Sequence, residues 1–128
     1  MNLTERTSRP IESYRDLFVW QKAMGLVVAT YRIANLLPAT ERYGLASQLR
    51  RSAVSIPANI AEGHGRRHRG DYLHSLSVAN GSLKELETQL LLTVRLQYCQ
   101  AAEVEPVLQR AYEVGRMLAG LIQKLKIK

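Results

Sequence analysis

The sequence predicts an all-α fold, an antiparallel up-and-down four-helix bundle. Apolar residues recur at steps of three and four in four separate segments, and no segment alternates apolar with polar residues as a strand would. Four prolines and eight glycines in 128 residues leave room for long helices separated by short breaks. With 46% hydrophobic and 23% charged residues the chain falls outside the disordered class, and its length suits one domain. Residues 1–13 are polar, contain Pro10 and show no periodicity, so they read as a flexible N-terminal arm ahead of a single domain over 14–128.

Ser13 and Asp16 have the spacing of a helix start, where each side chain can satisfy free amides of the first turn. Leu17, Trp20, Met24, Val27, Val28, Tyr31 and Ala34 then form one apolar face, with Trp20 and Tyr31 read as core. Leu36-Leu37-Pro38 ends this first helix, because the residue before proline is pushed out of the helical region. Thr40 begins a second helix that runs to about Glu62, with Gly63 and Gly65 as a left-handed stop. A third starts at Asp71 or just before it and carries Tyr72, Leu76, Ala79, Leu83, Leu86, Leu90 and Val94. In it Gly81, beside Ala79, marks a close helix approach. The fourth carries Val104, Val107, Leu108, Ala111, Val114, Leu118, Leu121, Ile122 and Leu125, with Pro106 in its first turn.

The second helix has more than one apolar side. At 100° per residue Leu45, Leu49, Ala53, Ile56 and Ile60 form one stripe, and Val54, Ala58 and Ala61 form another on nearly the opposite side. A lone bundle buries one stripe, so a second implies another packing partner, for which a sister subunit is the natural candidate. Gln48, Ser52, Ser55, Asn59 and Glu62 lie between the stripes. They are either a solvated face or hydrogen-bonding contacts to another helix or subunit, as their short side chains allow. Pro57 should kink this helix, with Ser55 and Asn59 placed to satisfy backbone groups that the kink frees.

The formal net charge of +7 raises the prospect of a polyanionic partner. Positive charge is concentrated in "AEGHGRRHRGDY", where Arg66, Arg67, His68 and Arg69 crowd the start of the third helix. Acids ordinarily collect there, because free N–H groups and the helix dipole make that end positive. Either a phosphate meets amides, dipole and guanidinium groups together, or the arginines are solvated or paired with acids such as Glu62. Arg50 and Arg51 point to neither stripe centre, and either pair with Glu85 or Glu87 or extend the basic surface.

Other chemistries lack their residues. There is no nucleophile elbow, no phosphate-binding glycine loop and no H-E-x-x-H motif, so no enzyme is expected. His64 and His68 stand four apart in a glycine-rich loop without cysteine, and neither a metal nor a cofactor is expected. Cys99 is alone, and no apolar run approaches the ~20 residues that span a bilayer, so a cytoplasmic location is expected.

The strings "YRDLFVWQKAMGLVVATYRI", "GLASQLRRSAVSIPANIAEG" and "SLSVANGSLKELETQLLL" resemble the four helix bundle family described as 23S rRNA intervening-sequence proteins, over about residues 14–98. That family is similar to accessory proteins of diversity-generating retroelements, pentameric barrels of four-helix protomers that bind nucleic acid and a reverse transcriptase. The resemblance implies a homo-oligomeric barrel, a homopentamer, and RNA as the favoured nucleic acid. Where family members usually place a serine cap, this chain has His68, and Gly70 or Asp71 is the expected substitute.

The combined reading is a non-enzymatic oligomer that binds the phosphate backbone, with Arg50, Arg51, Arg66, Arg67, Arg69 and His68 as candidate contacts. Gln48, Ser52, Ser55, Asn59 and Glu62 are candidate oligomer or inter-helix contacts. The alternative is a scaffold whose basic surface recruits a nucleic-acid-processing partner such as a reverse transcriptase.

Overall fold

The structure, a computed structural model, describes residues 12–127. Most of the expected arm therefore lies outside the described residues. Four helices make up nearly all of the rest: α1 (Phe18–Ala34), α2 (Leu45–His64), α3 (Arg69–Arg95) and α4 (Ala101–Ile127), with no strand among the described residues. Each helix packs against two others in cyclic order, α1 on α2, α2 on α3, α3 on α4 and α4 on α1, and the α2–α3 contact is the most extensive.

The capping pair at Ser13 and Asp16 forms. The Ser13 hydroxyl accepts from the Arg15 amide at 3.0 Å, and Asp16 accepts from the Ser13 amide at 3.2 Å. These bonds cap a single 3₁₀ turn, Tyr14–Asp16, and α1 starts two residues later after an extended Leu17. The buried face of α1 is Val19, Ala23, Leu26, Thr30 and Ile33 together with Ala34, not the series read from the sequence. Leu17 and Ala34 are buried as expected, but Trp20 and Val27 are only partly covered and Met24, Val28 and Tyr31 are exposed. Helix 1 is apolar almost all round, so two interleaved series of threes and fours compete for the core. Thr30 at the centre of the true series disguises it, its hydroxyl buried there without a partner.

The second helix begins at Leu45, not Thr40. Ala39–Glu41 is a separate 3₁₀ turn, and the chain reverses through Gly44 before α2 starts. Glu41 caps the new start: its Oε1 accepts from the Leu45 amide at 2.9 Å, while its Oε2 accepts from the Tyr98 hydroxyl at 2.8 Å. These bonds tie the α1–α2 connection to the α3–α4 connection. They hold the Glu41 carboxyl below the ordinary glutamate range, the Leu45 amide bond being the larger cause, and the bond to Glu41 pushes the Tyr98 phenol up. A lowered carboxyl pKa adds stability that is present above the unfolded value and lost as pH falls through the folded one. The stability advantage of the native chain over Glu41→Gln should therefore be present at pH 7, start to fall near the unfolded glutamate value of about 4.3, and be lost as the pH drops through the lower folded value. Thermal melts of the two chains across that range check it, and an advantage independent of pH would contradict the assignment.

The stripe Leu45, Leu49, Ala53, Ile56 and Ile60 is buried, as are Leu76, Ala79, Leu83, Leu86 and Leu90 of α3 and Val104, Val107, Leu108, Ala111, Val114 and Leu118 of α4. Each large aliphatic side chain so buried contributes about 1.5–3 kcal/mol. Helix α2 passes through Pro57 as one element. The Asn59 side-chain amide donates to the Ser55 carbonyl at 2.8 Å, not to the Ala53 carbonyl that Pro57 cannot serve. Pro106 lies deeper than the first turn, because α4 starts at Ala101; the carbonyl it cannot serve belongs to Ala102, which is exposed to solvent.

The glycine stop of α2 differs from expectation. Gly65 is right-handed (φ −79°), no described glycine has positive φ, and Gly63 is an interior helical residue. The left-handed stop occurs instead at the end of α3. There Gln97 has φ 63°, its amide donates to the Val94 carbonyl at 3.0 Å, and the Tyr98 amide reaches the Thr93 carbonyl at 2.9 Å. This is the paired bonding of a Schellman stop, which favours glycine at that residue. Gln97→Gly should stabilise the protein by about 0.5–1 kcal/mol, read as a higher urea midpoint at unchanged slope.

Candidate nucleic-acid interface

The bend between α2 and α3 spans only residues 65–68, so four consecutive basic side chains fall on one small surface. Arg66, Arg67, His68 and Arg69 line a cavity of about 280 Å³ with Tyr72 of α3 and Leu125 of α4. His68 remains the N-cap of α3, extended at φ −101°, but its side chain makes no capping bond. Asp71 in the first turn is the acid at this end; neither it nor Gly70 replaces the cap. The α3 amides therefore keep unsatisfied donors beside the guanidinium groups.

The arginines differ in their commitments. Arg66 Nη2 donates to Glu62 Oε1 at 2.7 Å, and this bond and the Glu62 charge hold its guanidinium above the ordinary value. Arg69 Nη1 donates to the Leu125 carbonyl at 3.3 Å, which ties the bend to the last turns of α4. Arg67 pairs with no acid among the described residues and is exposed. Tyr72 stands between the bend and the bundle, its ring edge-on to His64 at 5.9 Å. Its hydroxyl is buried without a partner, and burial pushes the phenol up to about 12.

Arg50 and Arg51 lie elsewhere, along α2. Arg50 donates to Asn35 Oδ1 at 3.3 Å and its guanidinium stacks 5.6 Å from the Tyr31 ring centre. The expected pairing with Glu87 does not form, since Glu87 takes Lys84 at 3.3 Å. Tyr31, Arg50, Arg51, Val54 and Ser55 line a cleft of about 400 Å³. It belongs to an uncovered apolar side of the α1–α2 pair, where Met24, Val28 (51% exposed), Tyr31 and Val54 stay in solvent. The second stripe of α2 is thus left open by its own bundle: Val54 and Ala58 are exposed and Ala61 is half-buried.

The stripe between them turns toward α3. Ser52 is buried, Ser55 and Asn59 are half-buried, and Gln48 and Glu62 are exposed. The Ser55 and Ser82 hydroxyls share a hydrogen bond at 2.8 Å, and Asn59 Nδ2 donates to Ser55 Oγ at 3.0 Å. Ser55 is thus an inter-helix contact within the chain. Facing it, Ser75, Ser82 and Gln89 step by seven along α3 and are buried, so a polar seam runs between the two helices. Toward the Gln89 end the seam widens into a cavity of about 430 Å³, with Gln48, Arg51, Ser52 and Ser55 opposite Ser82, Glu85 and Gln89. The Gln89 carbonyl oxygen is buried without a donor, which costs about 1–3 kcal/mol. Sequence reasoning missed Ser82, Gln89 and Tyr72 as site residues; the seven-residue spacing of polar side chains inside an apolar run was the available signal. Gly81 has open space where a Cβ would go, so it marks no close helix approach within the chain.

The sequence pattern of the 23S rRNA-intervening sequence proteins matches residues 15–120, which takes in all of α1, α2 and α3 and most of α4. The chain belongs to that family. A protein of unknown function from the S23 ribosomal protein family of Bacteroides thetaiotaomicron, solved by crystallography at 1.70 Å, is similar: 25% identical, with a TM-score of 0.76 over 82% of this chain and 95% of that one. No curated protein matches the chain. Among the described residues of this family member, no helix is long and apolar enough to cross a membrane.

Proposed function

We propose that the protein is a non-enzymatic, cytoplasmic, self-associating nucleic-acid-binding protein that grips RNA by its phosphate backbone. The observation that carries this reading is the gathering of Arg66, Arg67, His68 and Arg69 around one cavity at the N-terminal end of α3. A phosphate there would meet free amides, the helix dipole and at least one uncommitted guanidinium. The net charge of +7 supports it, as does a family description that ties these proteins to an insertion in 23S rRNA. Self-association is supported by the open apolar side of α1–α2, and a homopentamer remains our reading of the family resemblance. Five copies of a +7 chain would form one strongly cationic particle.

Binding should be mainly electrostatic, because few aromatic rings are free to stack on bases. If six phosphates are neutralised, a plot of log affinity against log salt should fall with a slope of about −4 to −5. A flat salt response in a binding titration with single-stranded RNA would remove the reading. Light scattering coupled to gel filtration tests the assembly, and a lone 14.4 kDa species would remove that part.

The uncovered side of Met24, Val28, Tyr31 and Val54 favours a second reading, an adaptor that recruits a nucleic-acid-processing protein such as a reverse transcriptase. A protein partner retained after nuclease treatment would support it over direct RNA contact.

A further inference from the structure

We infer that the polar groove between α2 and α3 is a base-reading site that takes one unstacked guanine of a single-stranded RNA. The inference rests on the RNA-binding reading but concerns a different surface, and it supplies the sequence preference that phosphate contacts lack.

Three groups in the groove have no partner among the described residues, and they differ in sign. On α3 the Gln89 carbonyl oxygen accepts nothing although its residue is only 8% exposed. The Glu85 carboxylate, on the same wall, pairs with no cation, so this side of the groove is made of acceptors that lack donors. On α2, Arg51 pairs with no acid and presents donors across the cavity, with the Gln48 amide at the same opening. A second space of about 430 Å³ adjoins the first and shares Gln48, Glu85 and Gln89 with it. Gly81 of α3 lines this second space and contributes no side chain to it. The joined groove has the room for a planar heterocycle. Its amide end is adjustable, because the terminal torsion of glutamine is broad and nearly two-fold.

The pattern selects among bases. Guanine carries adjacent N1–H and N2–H donors on one edge, which suit a carboxylate beside an amide carbonyl, and O6 and N7 acceptors on another, which suit a guanidinium. Uracil would turn carbonyl oxygens toward Glu85. Adenine and cytosine each set a ring nitrogen acceptor beside their amino donor, so neither offers two adjacent donors. Recognition on an exposed base edge by polar side chains is the usual way that single-stranded RNA is read. Along α2 the groove at Ser55 lies roughly 16 Å from Arg66, a distance that a few nucleotides of extended strand cover.

The test uses the intact protein and two kinds of probe. In an NMR titration with the four nucleoside monophosphates, GMP should shift the Gln89 side-chain amide and the Ser82 backbone amide, and the other three should not. Equal shifts with all four, or shifts confined to residues 65–69, would overturn the inference. Against single-stranded pentanucleotides, a central guanine should tighten binding about tenfold over the other bases, the discrimination of one good bidentate contact. Glu85→Gln, an exposed change that keeps side-chain shape, should remove that preference at unchanged salt slope, and Gln89→Met should do the same. Strong RNA binding with neither base preference nor GMP shifts would sink the groove while leaving the phosphate reading intact. GMP shifts without RNA affinity would remove the phosphate reading and overturn the inference as stated, leaving a site for a free nucleotide. A change in oligomer mass on Glu85→Gln, with no base preference, would reassign the groove to contact between copies.

Discussion

Gly63→Val will destabilise the protein by about 3 kcal/mol, the upper end of what overpacking an interior usually costs. A Cβ at Gly63 would sit 2.8 Å from Ser75 Cβ and 2.9 Å from Tyr72 Cδ1, both on α3. Neither obstacle is the loose end of a flexible side chain, so α2 and α3 must separate at the level of the bend. Gly63→Ala meets the same two atoms with less bulk and regains about 1 kcal/mol of helix propensity, so its net cost should be smaller. Urea denaturation of the three chains measures the order, and a valine variant as stable as the native chain would show that the helices are not in such close contact. Because Gly63 supports the bend, the valine variant should also lose RNA affinity if the cavity is the phosphate site.

Replacing Arg66, Arg67 and Arg69 together by serine will reduce affinity for single-stranded RNA by about 100-fold near 0.1 M salt and flatten the log–log slope by about 2. Three lost phosphate contacts give both figures. The single changes should be unequal. Arg66 is already engaged with Glu62 at 2.7 Å, whereas Arg67 has no acid, so Arg67→Ser should cost more binding than Arg66→Ser. Salt-titrated binding of each variant checks the order. Unchanged affinity in the triple variant would show that the bend is a solvated surface and nothing more.

The four helices and most of their buried faces were legible because the apolar steps of α3 and α4 each allow one register, and of the two stripes on α2 the one with the larger side chains is buried. Helix α1 was not, since Phe18, Val19, Trp20, Ala23, Met24, Leu26, Val27 and Val28 leave no polar side to exclude. Only packing against α2 and α4 chooses Val19, Ala23, Leu26 and Ile33. The error was informative: the rejected residues Met24, Val28 and Tyr31 border the second stripe of α2 and enlarge the uncovered apolar side. Helix ends were less visible than helix faces. The second helix was read as starting at Thr40, but Ala39–Glu41 is a separate turn and Glu41 reaches forward to cap a start at Leu45. Two glycines after Glu62 suggested a left-handed stop, yet Gly63 is there for closeness and the left-handed residue is Gln97. The basic bend was plain in the sequence, whereas the groove needs Ser82 and Gln89 to be seen opposite Ser55, 27 and 34 positions away in the chain and brought together only by the α2–α3 contact.

The bond from Arg69 to Leu125 places the bend and the lysine-bearing last turns of α4 at one pole of the bundle. The Glu41–Tyr98 clasp closes the opposite pole. The densest cluster of cations, Arg66, Arg67 and Arg69 with Lys124 and Lys126, therefore sits at one tip of the rod, and a strongly anionic strand would exert a torque on it before they touch. Approach would be oriented, tip first, and the fraction of productive collisions raised by alignment alone.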